Sequence, residues 1–139
     1  MRVAQDSIHI ETHGTGSHDV TAQVQRVVDA SRVRTGVCTV FIRHTSASLV
    51  VQENADPSVR SDLQRWLERL APESTDAYEH DSEGPDDMPA HLRAAITHTS
   101  ETIPVRDGRL ALGTWQAIYV WEHRRRAHRR ELIVTVIGE

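Results

Sequence analysis

Four short runs of β-branched and aromatic residues limit the folds that this chain can adopt. They occupy residues 37–43, 47–52, 115–121 and 131–137. Such runs are typical of buried β-strands, and each is far too short to cross a membrane as a helix. A chain of 139 residues with this pattern predicts a single domain, residues 1–139, organised around β-sheets.

Two further segments have the periodicity of amphipathic helices. The first segment ends near Ser31 and places four apolar residues on one helical face. These residues are Val20, Val24, Val27 and Val28. The second begins at Asp56 and Pro57, an N-cap residue followed by proline at the first helical position, and continues to Leu70.

The remaining pattern predicts a first strand, a hairpin and one long loop. Residues 3–13 alternate loosely between apolar and polar types, as in a strand. Asp107 and Gly108 suit the type I′ turn of a hairpin. Residues 71–87 are acidic with few aliphatic side chains and predict a surface loop, after which a short helix begins at Pro89.

The order of these elements predicts an α+β fold, because helices and strands do not alternate regularly. We expect mostly antiparallel, β-sandwich-like sheets flanked by two to three helices. The run at residues 131–137 is apolar at successive positions, which favours cover on both of its faces. Helices on one side would leave the other face to a partner, so the sequence indicates an oligomer.

Composition excludes several classes of chemistry. All 16 basic residues are arginine, so mechanisms that need a lysine, such as Schiff-base chemistry, are excluded. The formal net charge of −4 disfavours a protein that coats nucleic acid or anionic lipid. The N-terminus lacks the apolar segment of a signal peptide, so we expect a cytoplasmic protein without a membrane span. The single cysteine, Cys38, lies in an apolar run and is expected to be a small buried residue.

The nine histidines are the side chains best suited to metal binding or proton transfer near neutral pH. His80 and His91 flank an acidic segment, and two imidazoles with a carboxylate are typical of an open zinc-type site. A solvated acidic loop is the alternative. His44 ends a buried strand beside Thr45 and Ser46, which suits a general base or a ligand, although a hydrogen-bonded strand-end histidine fits the same pattern. The other six are expected at the surface: His9, His13, His18, His98, His123 and His128.

Two other features allow more than one interpretation. Ser46 and Ser48 are close to His44 in the sequence, but neither lies in the G-x-S-x-G pattern of a serine nucleophile. The arginine-rich segment 124–130 suits binding of phosphate or RNA, and a solvated connection between strands is the alternative. This segment has no interleaved aromatic residues, so nucleic-acid binding is the less favoured use.

Taken together, the polar groups resemble the YjbQ family over nearly the whole chain. The matching groups are His44-Thr-Ser-Ala-Ser-Leu49, Glu53-Asn54-Ala-Asp56-Pro57, Tyr78-Glu-His80-Asp81 with residues 83–91, and Gly113-Thr-Trp115-Gln116-x-Ile118 with Glu122. The resemblance implies an α+β sandwich assembled as a homotrimer, with polar pockets near subunit boundaries. The sequence departs from the commoner family pattern at Arg124, where many members resemble an acidic residue.

The resemblance also implies an activity, since the family is described as a secondary thiamine-phosphate synthase. Such a transferase joins an aminopyrimidine diphosphate to a thiazole phosphate and releases pyrophosphate. We therefore expect a site for a small phosphorylated metabolite and for Mg²⁺ or Zn²⁺, with His44, His80 and His91 as metal ligands. The expected catalytic residues are His44, His80, His91, Gln116 and Glu122, and the expected substrate-binding residues are Thr45, Ser46, Asn54, Asp56, Trp115 and Arg124. A competing interpretation is a non-catalytic trimeric protein that binds a metal or a phosphorylated metabolite.

Overall fold

The computed structural model describes residues 1–74 and 76–139. Strands and helices follow one another without the regular alternation of a parallel α/β fold, as predicted. In chain order the elements are β1 (Arg2–Thr12), β2 (Gly16–Asp19), α1 (Thr21–Ser31), β3 (Thr35–Ile42), β4 (Ala47–Glu53), α2 (Pro57–Leu70), α3 (Asp87–Ile96), β5 (Ser100–Arg106), β6 (Arg109–Leu110), β7 (Gln116–Glu122) and β8 (His128–Gly138).

The strands form two antiparallel sheets. The larger sheet has the order β1-β8-β3-β5-β6 and the smaller has the order β2-β7-β4. In the larger sheet, Val134 of β8 is paired with Asp6 of β1 and Val40 of β3. Residues 43–46 carry the chain from β3 in the larger sheet to β4 in the smaller one. This crossing point places a short polar turn beside both sheets.

The core lies between the inner faces of the two sheets and α1. All four valines of the predicted helical face are buried, as are alternate residues of β3 and β8. The buried residues of these two strands are Cys38, Val40, Ile42, Leu132, Val134 and Val136. Cys38 is a free, buried cysteine, as predicted.

β7 is covered on both faces, which explains its nearly continuous apolar sequence. Ile118 and Val120 belong to the core, whereas the alternate residues face α2. On that side the phenol of Tyr119 accepts a hydrogen bond from Arg60 at 3.1 Å, and the indole of Trp121 donates to Gln64 at 2.6 Å. α2 therefore holds the outer face of the smaller sheet.

Within residues 1–74 and 76–139, no helix covers the outer face of the larger sheet, and several apolar side chains are exposed there. Val3, Ile137 and Val37 lie side by side across three strands, and they are 68%, 38% and 42% exposed. Phe41 on the same face is 46% exposed. The outward-pointing residues of the β8 apolar run are half-buried or exposed, whereas its inward-pointing residues are buried.

Most predicted elements are confirmed, and their ends shift by a few residues. α1 ends at Ser31, and Asp56 caps α2 by accepting a hydrogen bond from the backbone N–H of Ser58 at 2.9 Å. Asp107 and Gly108 have positive φ angles of 52° and 77°, as a type I′ turn requires.

Two features of the structure differ from the sequence prediction. β2 was not predicted, because its four residues carry no apolar alternation. The third helix begins at Asp87 rather than at Pro89, so the predicted surface loop ends earlier, and Asp86 and Asp87 are buried. Residue 75 of that loop lies outside the described residues. None of the described helices combines the length and apolar character needed to span a membrane.

Candidate functional site

One group of histidine and acidic side chains in the described residues has the spacing of a metal site. Nε2 of His80 lies 2.6 Å from Oδ2 of Asp87, and Nε2 of His91 lies 3.3 Å from the same oxygen. One ligand atom from each residue lies within 4.8 Å of the other two. The two imidazole rings meet edge to face, with centroids 5.4 Å apart. We call these three residues the His–Asp–His cluster.

Local structure explains how this cluster forms. Asp87 is the first residue of α3 and His91 lies four residues later, so both side chains project from one helical face. The preceding loop brings His80 back to the same point, with Glu83 3.0 Å from its Nε2. The Asp87 side chain is 5% exposed, whereas those of His80 and His91 are 42% and 34% exposed. The carboxylate therefore forms the floor of the cluster and the imidazoles form its rim.

Arg124 holds this floor in place from inside the protein. Its NH1 donates to Oδ1 of Asp87 at 2.6 Å, its Nε donates to Oδ2 of Asp86 at 3.2 Å, and its NH2 donates to the carbonyl of Glu83 at 3.0 Å. The Arg124 side chain is buried. The structure places this predicted substrate-binding residue behind the cluster, where it orients Asp87.

Glu122 lies at the centre of a second set of buried charges. It has no solvent exposure and accepts hydrogen bonds from Nε of Arg130 at 2.8 Å, the hydroxyl of Thr12 at 2.6 Å and the backbone N–H of Arg124 at 3.1 Å. We call Thr12, Glu122, Arg124 and Arg130 the Glu122 network. The structure places Glu122, a predicted catalytic residue, inside this network, where it is closed to solvent and orients the arginines.

These contacts shift the ionisation of the acidic groups. Burial by itself raises the pKa of Glu122, but the hydrogen bonds from Arg130 and Thr12 outweigh it and hold the pKa below its usual value. Burial likewise raises the pKa of Asp87, and the hydrogen bond with His80 and the Arg124 charge overcome that effect and lower it. The hydrogen bond to Asp87 raises the pKa of His80. Both carboxylates are therefore ionised at neutral pH.

His44 lies apart from the cluster, in the turn between β3 and β4. Its Nε2 accepts a hydrogen bond from the backbone N–H of Glu131 at 2.8 Å, and it lines a surface pocket together with Thr45 and Ser46. Burial and the Arg130 charge lower the pKa of His44. Within one chain, the three imidazoles predicted to converge are thus divided between the cluster and this pocket.

Gln116 and its neighbours lie at the other end of β7. Gln116 and Glu122 are the two ends of this strand, which at ~3.3 Å per residue puts them about 20 Å apart. The Gln116 side chain is exposed and lines a polar surface pocket that also includes Asn54. Trp115 is 63% exposed, so it is not a core residue. In a single chain, this second group of predicted residues does not reach the His–Asp–His cluster.

His123 was predicted to be a surface residue, and this was wrong. It is fully buried, its Nε2 lies 2.8 Å from the hydroxyl of Ser48, and its Nδ1 has no hydrogen-bond partner among the described residues. Burial, with a smaller effect of the Arg93 charge, lowers the pKa of His123 to about 3. The Ser48–His123 pair is closed to solvent, so it is a structural feature of the core.

The arginine-rich segment that connects β7 and β8 is only partly exposed to solvent. Arg124 and Arg130, at its two ends, are buried in ion pairs, whereas Arg125, Arg126 and Arg129 between them are exposed. Two of these exposed arginines are near acidic side chains, since Arg125 pairs with Glu73 and Arg129 pairs with Glu11.

Sequence reasoning did not single out Asp87 among the acids of its segment. A usable signal was present, because Asp87 and His91 have the i, i+4 spacing of neighbours on a helix. Thr12 carried no such signal, since its partner Glu122 is 110 residues away in the chain.

The donor set of the cluster fits a divalent metal ion. Two imidazole nitrogens and one carboxylate oxygen make a three-ligand set that leaves an open position, and Arg124 provides an outer contact that fixes the ligating carboxylate. Nitrogen-rich sets favour zinc-type ions, whereas Mg²⁺ prefers oxygen ligands. The exposed rim gives an ion or substrate direct access.

The fold defines a class of small α+β proteins with two antiparallel sheets, and solved structures share this architecture. A YbjQ-like protein of unknown function from Sulfolobus solfataricus aligns with a TM-score of 0.91 and 28% identity, over 99% of each chain. A YjbQ/UPF0047 family protein from Clostridium acetobutylicum aligns with a TM-score of 0.88 and 34% identity, over 95% of this chain and 99% of that one.

Sequence comparisons agree with the structural ones. The family model for UPF0047 protein YjbQ-like matches residues 6–139. A UPF0047 protein of Synechocystis sp. is 54% identical over 139 residues, which are 100% of this chain and 95% of the relative. YjbQ of Escherichia coli O157:H7 is 40% identical over 136 residues, with 97% and 98% covered. The chain belongs to the YjbQ/UPF0047 family, and the predicted resemblance is confirmed.

Proposed function

We propose that this chain is a metal-dependent transferase of the thiamine-phosphate synthase type. In this reaction a C–O bond at the methylene of an aminopyrimidine diphosphate breaks, and pyrophosphate leaves with the bonding electrons. The ring nitrogen of a thiazole phosphate forms the new C–N bond. The observation that carries the proposal is the His–Asp–His cluster, with two exposed imidazoles above a buried, oriented carboxylate.

The required chemistry supports this use of the cluster. Loss of pyrophosphate needs positive charge near the leaving oxygens, and a bound divalent ion supplies that charge. His80, His91 and Asp87 would hold the ion, and Arg124 would keep the Asp87 carboxylate in position from behind. We expect Zn²⁺ to bind more tightly than Mg²⁺, because two of the three ligands are imidazoles.

We propose that the chain forms a homotrimer, because assembly would cover two regions that a single chain leaves exposed. The cluster lies open to solvent, whereas charge neutralisation is most effective where water is excluded. The outer face of the larger sheet also exposes Val3, Val37, Phe41 and Ile137 together. Contact through this apolar face is supported by its composition and, in the part of the chain that the structure describes, by the lack of a covering helix.

The test is an assay of pyrophosphate release from the two substrates, with Zn²⁺ or Mg²⁺ added to metal-free protein. We expect His80→Ala and His91→Ala to lower the rate at least about 100-fold, because each removes one of three ligands. His98→Ala is the matched control, since His98 is an exposed histidine that pairs with Glu101 outside the cluster. A His91→Ala rate equal to that of the unaltered protein would contradict the proposal.

The competing function is metal or phosphometabolite binding without catalysis, and the open rim of the cluster favours it. The same samples distinguish the two functions. If zinc binding depends on His80 and His91 but the rate of pyrophosphate release equals that of the His44, His80, His91 triple alanine variant, the protein is a binding module. Light scattering on each variant checks that the oligomeric state is unchanged.

A further inference from the structure

The pocket around His44 has chemistry that the His–Asp–His cluster does not use. It has a volume of about 630 Å³ and is lined by residues 41–46, Thr99 and Arg130. Hydrogen-bond donors predominate in this lining: an imidazole, three hydroxyl groups and two guanidinium groups. No acidic residue is part of the described lining.

The hydrogen bond to His44 fixes which nitrogen of its ring carries the proton. The backbone N–H of Glu131 donates to Nε2 at 2.8 Å, so Nε2 presents its lone pair inward. The proton of the neutral ring must then be on Nδ1, where it is available to an acceptor outside the protein. A metal ion would need a free lone pair, and this arrangement leaves none on the ring without breaking a backbone hydrogen bond.

The backbone of the turn adds further donors. Among the described residues, the N–H groups of His44, Thr45 and Ser46 have no hydrogen-bond partner, because β3 ends at Ile42 and β4 begins at Ala47. Successive free backbone N–H groups in a turn are typical of concavities that bind anions.

Two arginines place positive charge beside this turn. Arg130 donates from NH2 to the hydroxyl of Ser46 at 3.0 Å and to its carbonyl at 3.2 Å, and it is anchored by Glu122. Arg43 lies on the rim, where its NH1 is 2.8 Å from a carboxylate oxygen of Glu131 and its side chain is 58% exposed. The carboxylates of Glu122 and Glu131 are thus already paired with arginines, and neither residue lines the pocket.

We propose that the His44 pocket binds a phosphate group, with Nδ1–H of His44 and the backbone N–H groups of residues 44–46 as donors. The pocket extends the proposed function by placing the phosphate of a phosphorylated substrate, but phosphate binding itself requires neither metal nor turnover. His44 thereby acts as a phosphate ligand rather than as a metal ligand.

The Glu122 network connects this pocket to the cluster. Arg130 contacts Ser46 on one side and Glu122 on the other, and Arg124 links Glu122 to Asp87 through its backbone N–H and its guanidinium. The phosphate pocket and the metal cluster are therefore two separate sites held by one buried ionic network.

The test uses inorganic phosphate and metal-free protein in the presence of a chelator. Long-range ¹H–¹⁵N NMR of the imidazoles should show Nδ1 of His44 protonated, and phosphate should shift the His44 ring signals at saturation. In calorimetric titrations, His44→Phe should weaken phosphate binding at least about tenfold, because it removes a hydrogen bond to a charged group. The His98→Ala control should bind as the unaltered protein does.

Variants of the cluster separate this proposal from the proposed function. His80→Ala and His91→Ala should keep full phosphate affinity even though they lose zinc. A protonated Nε2 at His44, a phosphate titration that leaves its ring signals unmoved, or loss of phosphate affinity in His80→Ala but not in His44→Phe would overturn the phosphate pocket. Since His44→Phe also removes an acceptor for Glu131, the NMR titration of the unaltered protein stands as evidence that depends on no variant.

Discussion

The two ends of β7 bear similar polar residues in very different environments. At one end, Glu122 is fully buried and holds two arginines and a threonine. At the other end, Gln116 is exposed, and its amide oxygen accepts a hydrogen bond from the nearby N–H of Gly113 at 2.8 Å. The strand therefore joins a closed ionic region to an open polar one.

This difference separates residues that position others from residues that are available to a ligand. Glu122 is ionised, inaccessible and surrounded by donors, so it acts by fixing Arg124 and Arg130. Gln116 and Asn54 line a surface pocket that is open to a molecule from solution. Substitutions of Glu122 should therefore act mainly on stability and positioning, whereas substitutions of Gln116 should act mainly on contacts with a ligand.

The largest effect is expected for Glu122→Ala. Removing this carboxylate leaves Arg130 buried with an uncompensated charge, which typically costs about 3–5 kcal/mol. Urea denaturation at pH 7 would measure the loss in free energy of unfolding. A loss below about 1 kcal/mol would show that the Glu122 end is no more closed than the Gln116 end.

Arg124→Met tests the connection from the closed end to the cluster. It removes the contact that orients Asp87 while keeping an unbranched side chain of similar length. We expect zinc affinity to fall about 10- to 100-fold, as is typical when an outer contact to a metal ligand is lost. Calorimetric zinc titration measures this, and Arg126→Met on the exposed part of the same connection is the control.

The pH dependence of stability tests whether water is excluded from the buried end of β7, next to His123. The pKa of His123 is about 3 in the folded protein, against about 6.5 when unfolded, so the unfolded state binds the extra proton first as the pH falls. Its contribution to stability is complete above pH 6.5 and declines between pH 6.5 and 3.

Between pH 7 and pH 5, His123 should therefore remove about 2 kcal/mol from the free energy of unfolding. The measurement is urea denaturation of the unaltered protein and of His123→Gln at both pH values, because glutamine keeps a polar group near Ser48 without titrating. Equal pH dependence in the two proteins would mean that the imidazole is hydrated.

The smallest effect on stability is expected for Gln116→Ala. Its side chain is exposed and makes one short-range contact, so the change in free energy of unfolding should stay within about 0.5 kcal/mol. Under the proposed function, the same variant should change the rate of pyrophosphate release. If it destabilised the protein as strongly as Glu122→Ala, the contrast between the two ends would be lost.

The elements of the fold could be read from the sequence because their signals are local. The valine face of α1, the Asp56 cap and the turn at Asp107 each depend on residues within a few positions of one another. Residues 71–87 were harder to interpret, because most of the segment is exposed and only its last two acids turn inward.

The arrangement of the site depended on contacts that no local pattern records. Arg124 and Asp87 are 37 residues apart, and Arg130 and Ser46 are 84 residues apart. Charged residues are usually exposed, so the burial of Glu122 and His123 opposes the ordinary expectation for their types. Their burial depends on side chains from distant parts of the chain: Thr12 and Arg130 contact Glu122, and Ser48 contacts His123.

The first strand has a practical consequence for the protein in solution. β1 forms an edge of the larger sheet and pairs with β8 on one side only, so about half of its eleven residues turn unpaired backbone groups outward. A free edge of that length is a template on which a strand of another molecule can add. The ionisable side chains spaced along it, Arg2, Asp6, His9 and Glu11, discourage such addition, and neutralising them together should lower the concentration at which the protein begins to aggregate.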